Sequence, residues 1–376
     1  MRLLVPSIVD PATFPGGAGT ATRGLLELLC SAPIAAEADV RPSRPRGSEL
    51  GHHVRQVASV LGSFVSRLPA KALYQRAGGY PDALRRRLSC RDYDLVLING
   101  CDLLWVQDEV PPDVPVLVWA HNLEHELYAR QLDSGPLARL MRGVLAADLA
   151  KLRRFEIEGL QRADGSLFLS STEAERMRPY LRDHPPLVVP PLFRGELPVR
   201  QPRRVGRPVE VGFVANFGWW PNRDGLHWFL TEILPYCDGR FRLHLFGSGS
   251  HRFRGYAAGV IGHGYVADVS TIWSTCDVMI CPIRTGGGVN IKLAEAVFHG
   301  VPVLATPHAL EGLPLAPGAA LAVAEDAQAW IEFMGGEALV GLASATVPRD
   351  DRQVFCADTH RDEISAYFGG LVRAAA

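Results

Sequence analysis

Short apolar runs alternate with longer amphipathic stretches along this chain. In the first half, Leu3–Val9, Leu95–Asn99, Val116–Ala120, Gly165–Leu169 and Leu187–Val189 predict buried strands, and stretches such as Arg139–Gln161 predict helices. The strand runs are apolar on consecutive positions rather than on every second one. That is the signature of strands covered on both faces, and hence of a parallel sheet layered by helices. A second series begins with Glu210–Asn216. It continues with a helix from about Arg223 to Leu234, the strands Phe241–Gly247 and Val260–Val266, a helix over Asp268–Cys276, and the strands Val278–Pro282 and Val301–Thr306. Beyond an irregular piece, Ala343–Asp351, the last stretch from Arg352 again reads as helical.

Between the two series lies Pro190–Val209, dense in proline and arginine and without periodicity, which predicts an interdomain linker. The length of 376 residues also favours two cores over one. The expected organisation is a first domain over 1–195, a second over 196–350, and a final helix over 351–376 that packs back on the first. Two such α/β domains in tandem would face each other across a cleft, and ligands of these sheets bind at the carboxyl ends of strands.

Composition narrows the class without deciding it. The chain is 47% apolar and 21% charged, with a formal net charge of −1, so charge gives no reason to expect a nucleic-acid partner. Seven scattered cysteines contain no C-x-x-C pair; they read as reduced cytosolic thiols, and a metal site is not expected. The N-terminal run predicts a first strand rather than a signal peptide, and no segment has the length of a membrane span. The arginine-rich stretch Arg67–Arg91 reads as a peripheral contact at the inner face of a membrane, a contact with an anionic lipid-linked acceptor, or a solvated helix face.

The most informative segment is Pro282–Leu313, where Gly286, Gly287 and Gly288 lead through Val289 and Asn290 into a helix carrying Lys292 and Glu295. A glycine-rich entry to a helix is suited to a diphosphate: the first-turn amides lack intrahelical partners, the helix dipole adds partial positive charge, and glycine permits close approach. Lys292, one of only three lysines, adds a full charge. Glu295, one turn on, is placed to accept hydrogen bonds from sugar hydroxyls. The phrase Phe246–His251, FGSGSH, lacks the spacing of a dinucleotide fingerprint and reads as a strand-end turn.

Three segments in order then resemble the group-one nucleotide-sugar transferases of glycosyltransferase family four: FVANFGWWPNRDGLHWFLTEILP (213–235), GYVADVSTIWSTCDVMICP (264–282), and GGGVNIKLAEAVFHGVPVLAT with EGL (286–313). FPGGAG (14–19) is similar to the family's first glycine loop, and WAHNLEHELYAR (119–130) to its His-Asn-x-Glu segment. The resemblance implies a GT-B fold of two Rossmann-like domains. It implies retaining, metal-independent transfer of a sugar, in all expectation a hexose, from a nucleoside diphosphate sugar to an acceptor hydroxyl on a glycan, glycolipid or small molecule, without a cofactor. Polysaccharide or glycolipid assembly in the cytoplasm is its usual setting.

By the same resemblance the donor site comprises Gly16, Gly17, Asn216, Arg223, Val266, Gly286, Gly287, Gly288, Val289, Asn290, Lys292 and Glu295, with Glu295 on the ribose. His121, Lys292 and Glu295 are the candidate catalytic residues, and Glu124, His125 and Glu126 offer an acceptor-activating base. One departure stands out: Gly287 occupies the position of the first glutamate of the family's pair, which fits its glycine-loop branch. A sugar-nucleotide epimerase of the same fold and an inactive sugar-nucleotide-binding subunit are the competing readings.

Overall fold

The computed structural model describes residues 1–14, 16–43, 49–133, 142–181, 184–200, 207–237 and 239–375. The chain forms two units, Met1–Leu192 with His360–Ala376, and Phe193–Thr359. Each is built on a six-stranded parallel sheet.

In the first unit the strands are β1 (Arg2–Ser7), β2 (Glu37–Pro42), β3 (Leu95–Asn99), β4 (Val116–Ala120), β5 (Gly165–Phe168) and β6 (Leu187–Val188), in the spatial order β2-β1-β3-β4-β5-β6. Helix α1 (Gly17–Leu29) returns the chain from β1, and α2 (Glu49–Ser63) and α3 (Ala70–Arg76) follow β2. The strands β3 and β4 are buried at every position, as their unbroken apolar runs require. Strand β2 escaped the apolar pattern because its sequence, EADVRP, is that of an edge: it pairs with β1 alone and leaves its outer side partly exposed. The long helix predicted over Arg139–Gln161 is seen as Arg142–Arg162; residues 139–141 lie outside the described residues.

The terminal helix Arg361–Ala375 belongs to this first unit. Its Ile364 and Phe368 are fully buried. The Tyr367 hydroxyl accepts from the Ser166 amide of β5 at 3.1 Å, and Arg361 donates to Ser31 Oγ at 2.7 Å.

The second unit carries β7 (Val209–Val214), β8 (Phe241–Phe246), β9 (Val260–Gly264), β10 (Val278–Cys281), β11 (Val303–Ala305) and β12 (Leu321–Val323), ordered β12-β11-β10-β7-β8-β9. Trp330, fully buried, meets Trp228 and Phe229 edge-on at 5.7 and 5.9 Å and anchors the core on one face. The helix predicted over Arg223–Leu234 starts earlier, at Trp220, and after Trp228 continues in a wider and then a tighter helical turn through Phe229–Tyr236. Arg352 holds the chain end of this unit, donating to the carbonyls of Phe298 at 3.0 Å and Pro198 at 2.7 Å. Of the predicted linker, residues 201–206 lie outside the described residues.

Each sheet reverses its winding direction once, between β1 and β3 in the first unit and between β7 and β10 in the second. Loops leaving two such strands diverge to opposite faces and leave a crevice at the carboxyl edge, where ligands of doubly wound sheets bind.

Candidate functional site

In the second unit the crevice at the carboxyl ends of β7 and β10 is formed by two loops. The first runs from β7 through Asn216 to the helix Trp220–Trp228; the second runs from β10 through Gly286–Asn290 to the helix Ile291–Phe298. They are packed closely. A Cβ at Gly225 would lie 2.3 Å from the Pro282 carbonyl oxygen, so glycine lets the first helix touch the end of β10. Gly286 has φ of +116° and faces the Pro221 ring, and Gly288 has φ of +75°; both conformations favour glycine, whereas Gly287 has no such requirement.

Side chains complete the bracing. Thr306 donates to the Ile283 carbonyl and caps Ala309, while Asn290 Nδ2 donates to the Ala309 carbonyl at 3.1 Å. Asn216 Oδ1 accepts from the Gly218 amide at 2.9 Å, and Asn222 Nδ2 donates to the Asn216 carbonyl at 3.0 Å.

Lys292 is the centre of this arrangement. Its Nζ donates to Asn222 Oδ1 at 2.6 Å and lies 5.5 Å from the centre of the Phe213 ring. Burial lowers its pKa, and only the neighbouring Cys281 thiol opposes that shift. Among the described residues Lys292 forms no ion pair. A buried ammonium without a carboxylate is costly unless an anion completes it. The Thr285 hydroxyl, at the entrance to the glycine loop, is buried without a hydrogen-bond partner among the described residues.

Glu295 stands half-buried one turn after Lys292. Arg223 is exposed at the start of the neighbouring helix, its guanidinium 5.9 Å from the centre of the Trp220 ring. Trp219 and Trp220 are both exposed, while Pro221 is buried against the glycine loop. Val266 follows the edge strand β9 and packs partly into the core. The structure thus brings Asn216, Asn222 and Lys292 together with the glycine loop, and sets Arg223 on the outside of the same helix start.

The first unit has its own polar cluster at the carboxyl ends of β1, β3 and β4. Ser7, Asn99 and His121 stand there side by side, with Gly16 and Gly17 opening α1 after the loop from β1; Pro15 of that loop lies outside the described residues. Asn99 Nδ2 donates to Ser7 Oγ at 2.8 Å and to Thr22 Oγ1 at 3.1 Å, and its Oδ1 lies 2.5 Å from His121 Nε2. With both amide hydrogens committed, Asn99 presents only an acceptor to the ring. His121 Nε2 must therefore carry the proton, which leaves Nδ1 as a bare lone pair. Nδ1 is buried and has no partner among the described residues. Burial pushes the imidazole pKa down to about 4, so the ring stays neutral in the physiological range.

The neighbouring segment is committed differently. Glu124 pairs with Lys71 and accepts from Asn122 Nδ2 at 3.2 Å; His125 pairs with the fully buried Glu156; Glu126 pairs with Arg176. Burial, followed by the charge of Glu124, raises the pKa of nearby Asp102 to about 7. Asn99 and Thr285 were not singled out as site residues from the sequence. Their signal is faint: Asn99 is the lone polar residue ending an apolar run, and Thr285 merely precedes three glycines.

Residues 208–335 match the family described as glycosyl transferases group 1. No curated protein shows significant sequence similarity to the chain. Among solved structures, the chain is similar to sucrose-phosphate synthase from Thermosynechococcus elongatus, at 16% identity over 99% of both chains with a TM-score of 0.71. HepE from Anabaena, solved with UDP-glucose, aligns at 14% identity over 98% of this chain and 100% of its own, with a TM-score of 0.64. The lipopolysaccharide outer core galactosyltransferase WaaB aligns at 13% identity over 98% and 99%, with a TM-score of 0.57. These likenesses show the fold to be GT-B, with two Rossmann-like domains.

Proposed function

We propose that the chain is a glycosyltransferase that moves a sugar from a nucleoside diphosphate sugar to an acceptor hydroxyl. The observation that carries this reading is the half-buried ammonium of Lys292 beside the glycine loop, with no ion pair among the described residues, in the part of the chain that matches the group 1 transferases. HepE, of the same fold, has been solved with UDP and with UDP-glucose, which supports a nucleotide-sugar donor here.

In this reading the donor diphosphate is held by the amides of Gly286–Asn290, the Lys292 ammonium and the Thr285 hydroxyl, and Glu295 binds the ribose. Charge accumulates on the leaving diphosphate as the glycosidic bond breaks. A preorganised cation and helix-end amides stabilise that charge in the transition state without reorganising. For a retaining transfer the departing phosphate oxygen takes the acceptor proton on the face it leaves, and no separate base is required. The engagement of Glu124, His125 and Glu126 with Lys71, Glu156 and Arg176 accords with that. His121, neutral and with its Nδ1 lone pair unused, offers an acceptor for a substrate hydroxyl.

A thermal-shift panel of nucleoside diphosphates and their sugars tests the donor reading. A ligand at about 100 times its Kd stabilises the native state by about 2.7 kcal/mol. No shift with any nucleotide would overturn the assignment. Gly287 motivates the second reading, a nucleotide-binding subunit without activity: binding with no turnover across acceptors would favour it.

A further inference from the structure

Two adjacent tryptophans stand at the donor crevice, Trp219 and Trp220, 42 and 44% exposed although this residue type is on average highly buried. Trp220 is already engaged, since the Arg223 guanidinium lies 5.9 Å from the centre of its ring. Trp219 is not. Among the described residues no aromatic ring and no cation faces its indole, and the indole N–H has no hydrogen-bond partner.

The backbone nevertheless holds Trp219 firmly. Its amide donates to the Asn216 carbonyl at 3.2 Å, and its carbonyl accepts from the Arg223 amide at 3.1 Å. Pro221, two residues on, is buried against the glycine loop: a Cβ at Gly286 would lie 3.2 Å from the Pro221 ring and 3.9 Å from Trp219 Cη2. Cη2 is at the far edge of the indole, so the ring reaches the first glycine of the loop.

We infer that Trp219 is a positioning residue for the transferred sugar, which stacks on the indole, an assignment that rests on the donor reading of this crevice. A nucleotide sugar is a linear chain of base, ribose, diphosphate and sugar, and the protein groups follow the same order. Glu295, given to the ribose, lies one turn into the helix Ile291–Phe298; Lys292 and the loop amides, given to the diphosphate, lie at its start; Trp219 borders Gly286 at the other end of the loop. The group beyond the diphosphate, on the side away from the ribose, is the sugar, while the base lies at the opposite end. The chemistry agrees with that order. One face of a pyranose presents a patch of weakly positive C–H groups, and the face of an indole is broad, apolar and negative at its centre. The N–H on the edge of the ring is left to donate to a sugar hydroxyl. Such a platform reads the face of the sugar and is indifferent to the nucleotide.

The test is calorimetric titration of the full chain, and of Trp219→Ala and Trp219→Phe, with UDP, ADP, GDP and dTDP and with the glucose ester of each. For the nucleotide that wild type binds, Trp219→Ala should weaken the glucose ester at least tenfold and change the free nucleoside diphosphate less than twofold. Retained binding of the diphosphate also shows that the variant is folded. Trp219→Phe, which keeps an aromatic face, should stay within threefold of wild type for the ester. Equal losses for ester and diphosphate would move the indole to the nucleotide, and unchanged affinity for both would remove it from the donor; either result overturns the inference. Failure of the donor reading looks different: wild type itself would bind none of these nucleotides, and the role of Trp219 would fall with it.

Discussion

Lys292 and His121 illustrate how burial sets the working state of a residue. Removing the Lys292 ammonium by Lys292→Ala should cost about 2–4 kcal/mol of transition-state stabilisation, a roughly 30- to 1,000-fold fall in kcat/KM. Steady-state kinetics within threefold of wild type would remove Lys292 from the mechanism. His121 carries a pH signature. Its pKa lies near 4 in the folded chain against 6.5 as the ordinary value, so the ring is neutral in both states above about pH 6.5. As pH falls from there towards 4 the unfolded chain takes up the proton first, and the native state loses up to about 3 kcal/mol. His299 is likewise depressed to about 4, so denaturant titrations at several pH values should show a loss larger by that amount in wild type than in His121→Gln. Nitrogen chemical shifts should place the proton on Nε2; finding it on Nδ1 would refute the role given to Asn99. Asn99→Asp, by presenting a carboxylate to that N–H, should raise the imidazole pKa by a unit or more.

At the scale of elements, the sequence carried the strands best where apolar runs are unbroken. Strands β3 and β4 appear with their expected bounds. Edge strand β2 was not legible, since an edge needs no continuous apolar run. The glycine loop was legible because positive φ at Gly286 and Gly288 demands a residue type that sequence shows directly. The bonds Asn222 makes to Lys292 and Asn99 to His121 were not, since they join residues 70 and 22 positions apart through the fold. Close packing of the two donor-side loops gives a contrast to measure. Gly225→Ala, with its Cβ driven against the Pro282 carbonyl, should cost about 1–3 kcal/mol, and Gly341→Ala, where a Cβ meets nothing within 4 Å, about 0.5 kcal/mol or less. Equal denaturation midpoints for the two variants would contradict the packing described.

For the whole molecule, the pairing of two doubly wound sheets was expected from two series of strands, and the comparisons bear out the GT-B fold. The first unit is discontinuous, completed by the terminal helix. Phe368→Ala, emptying a fully buried site, should cost about 3–5 kcal/mol. In calorimetry that loss should fall on the first unit's transition and spare the one raised by nucleotide. A shift of the nucleotide-linked transition instead would show that the two units do not unfold separately.

The late return of the terminal helix also orders events during synthesis. The bed for Ile364 and Phe368 is complete once β5 and its neighbours have emerged, yet its occupants come only after the entire second unit has been translated. At about 5–20 residues per second that interval is on the order of ten seconds or more. Through it the nascent first unit presents an unfilled apolar furrow, which makes this the stage of biogenesis at which a chaperone has most to shield and a neighbouring nascent chain most to capture.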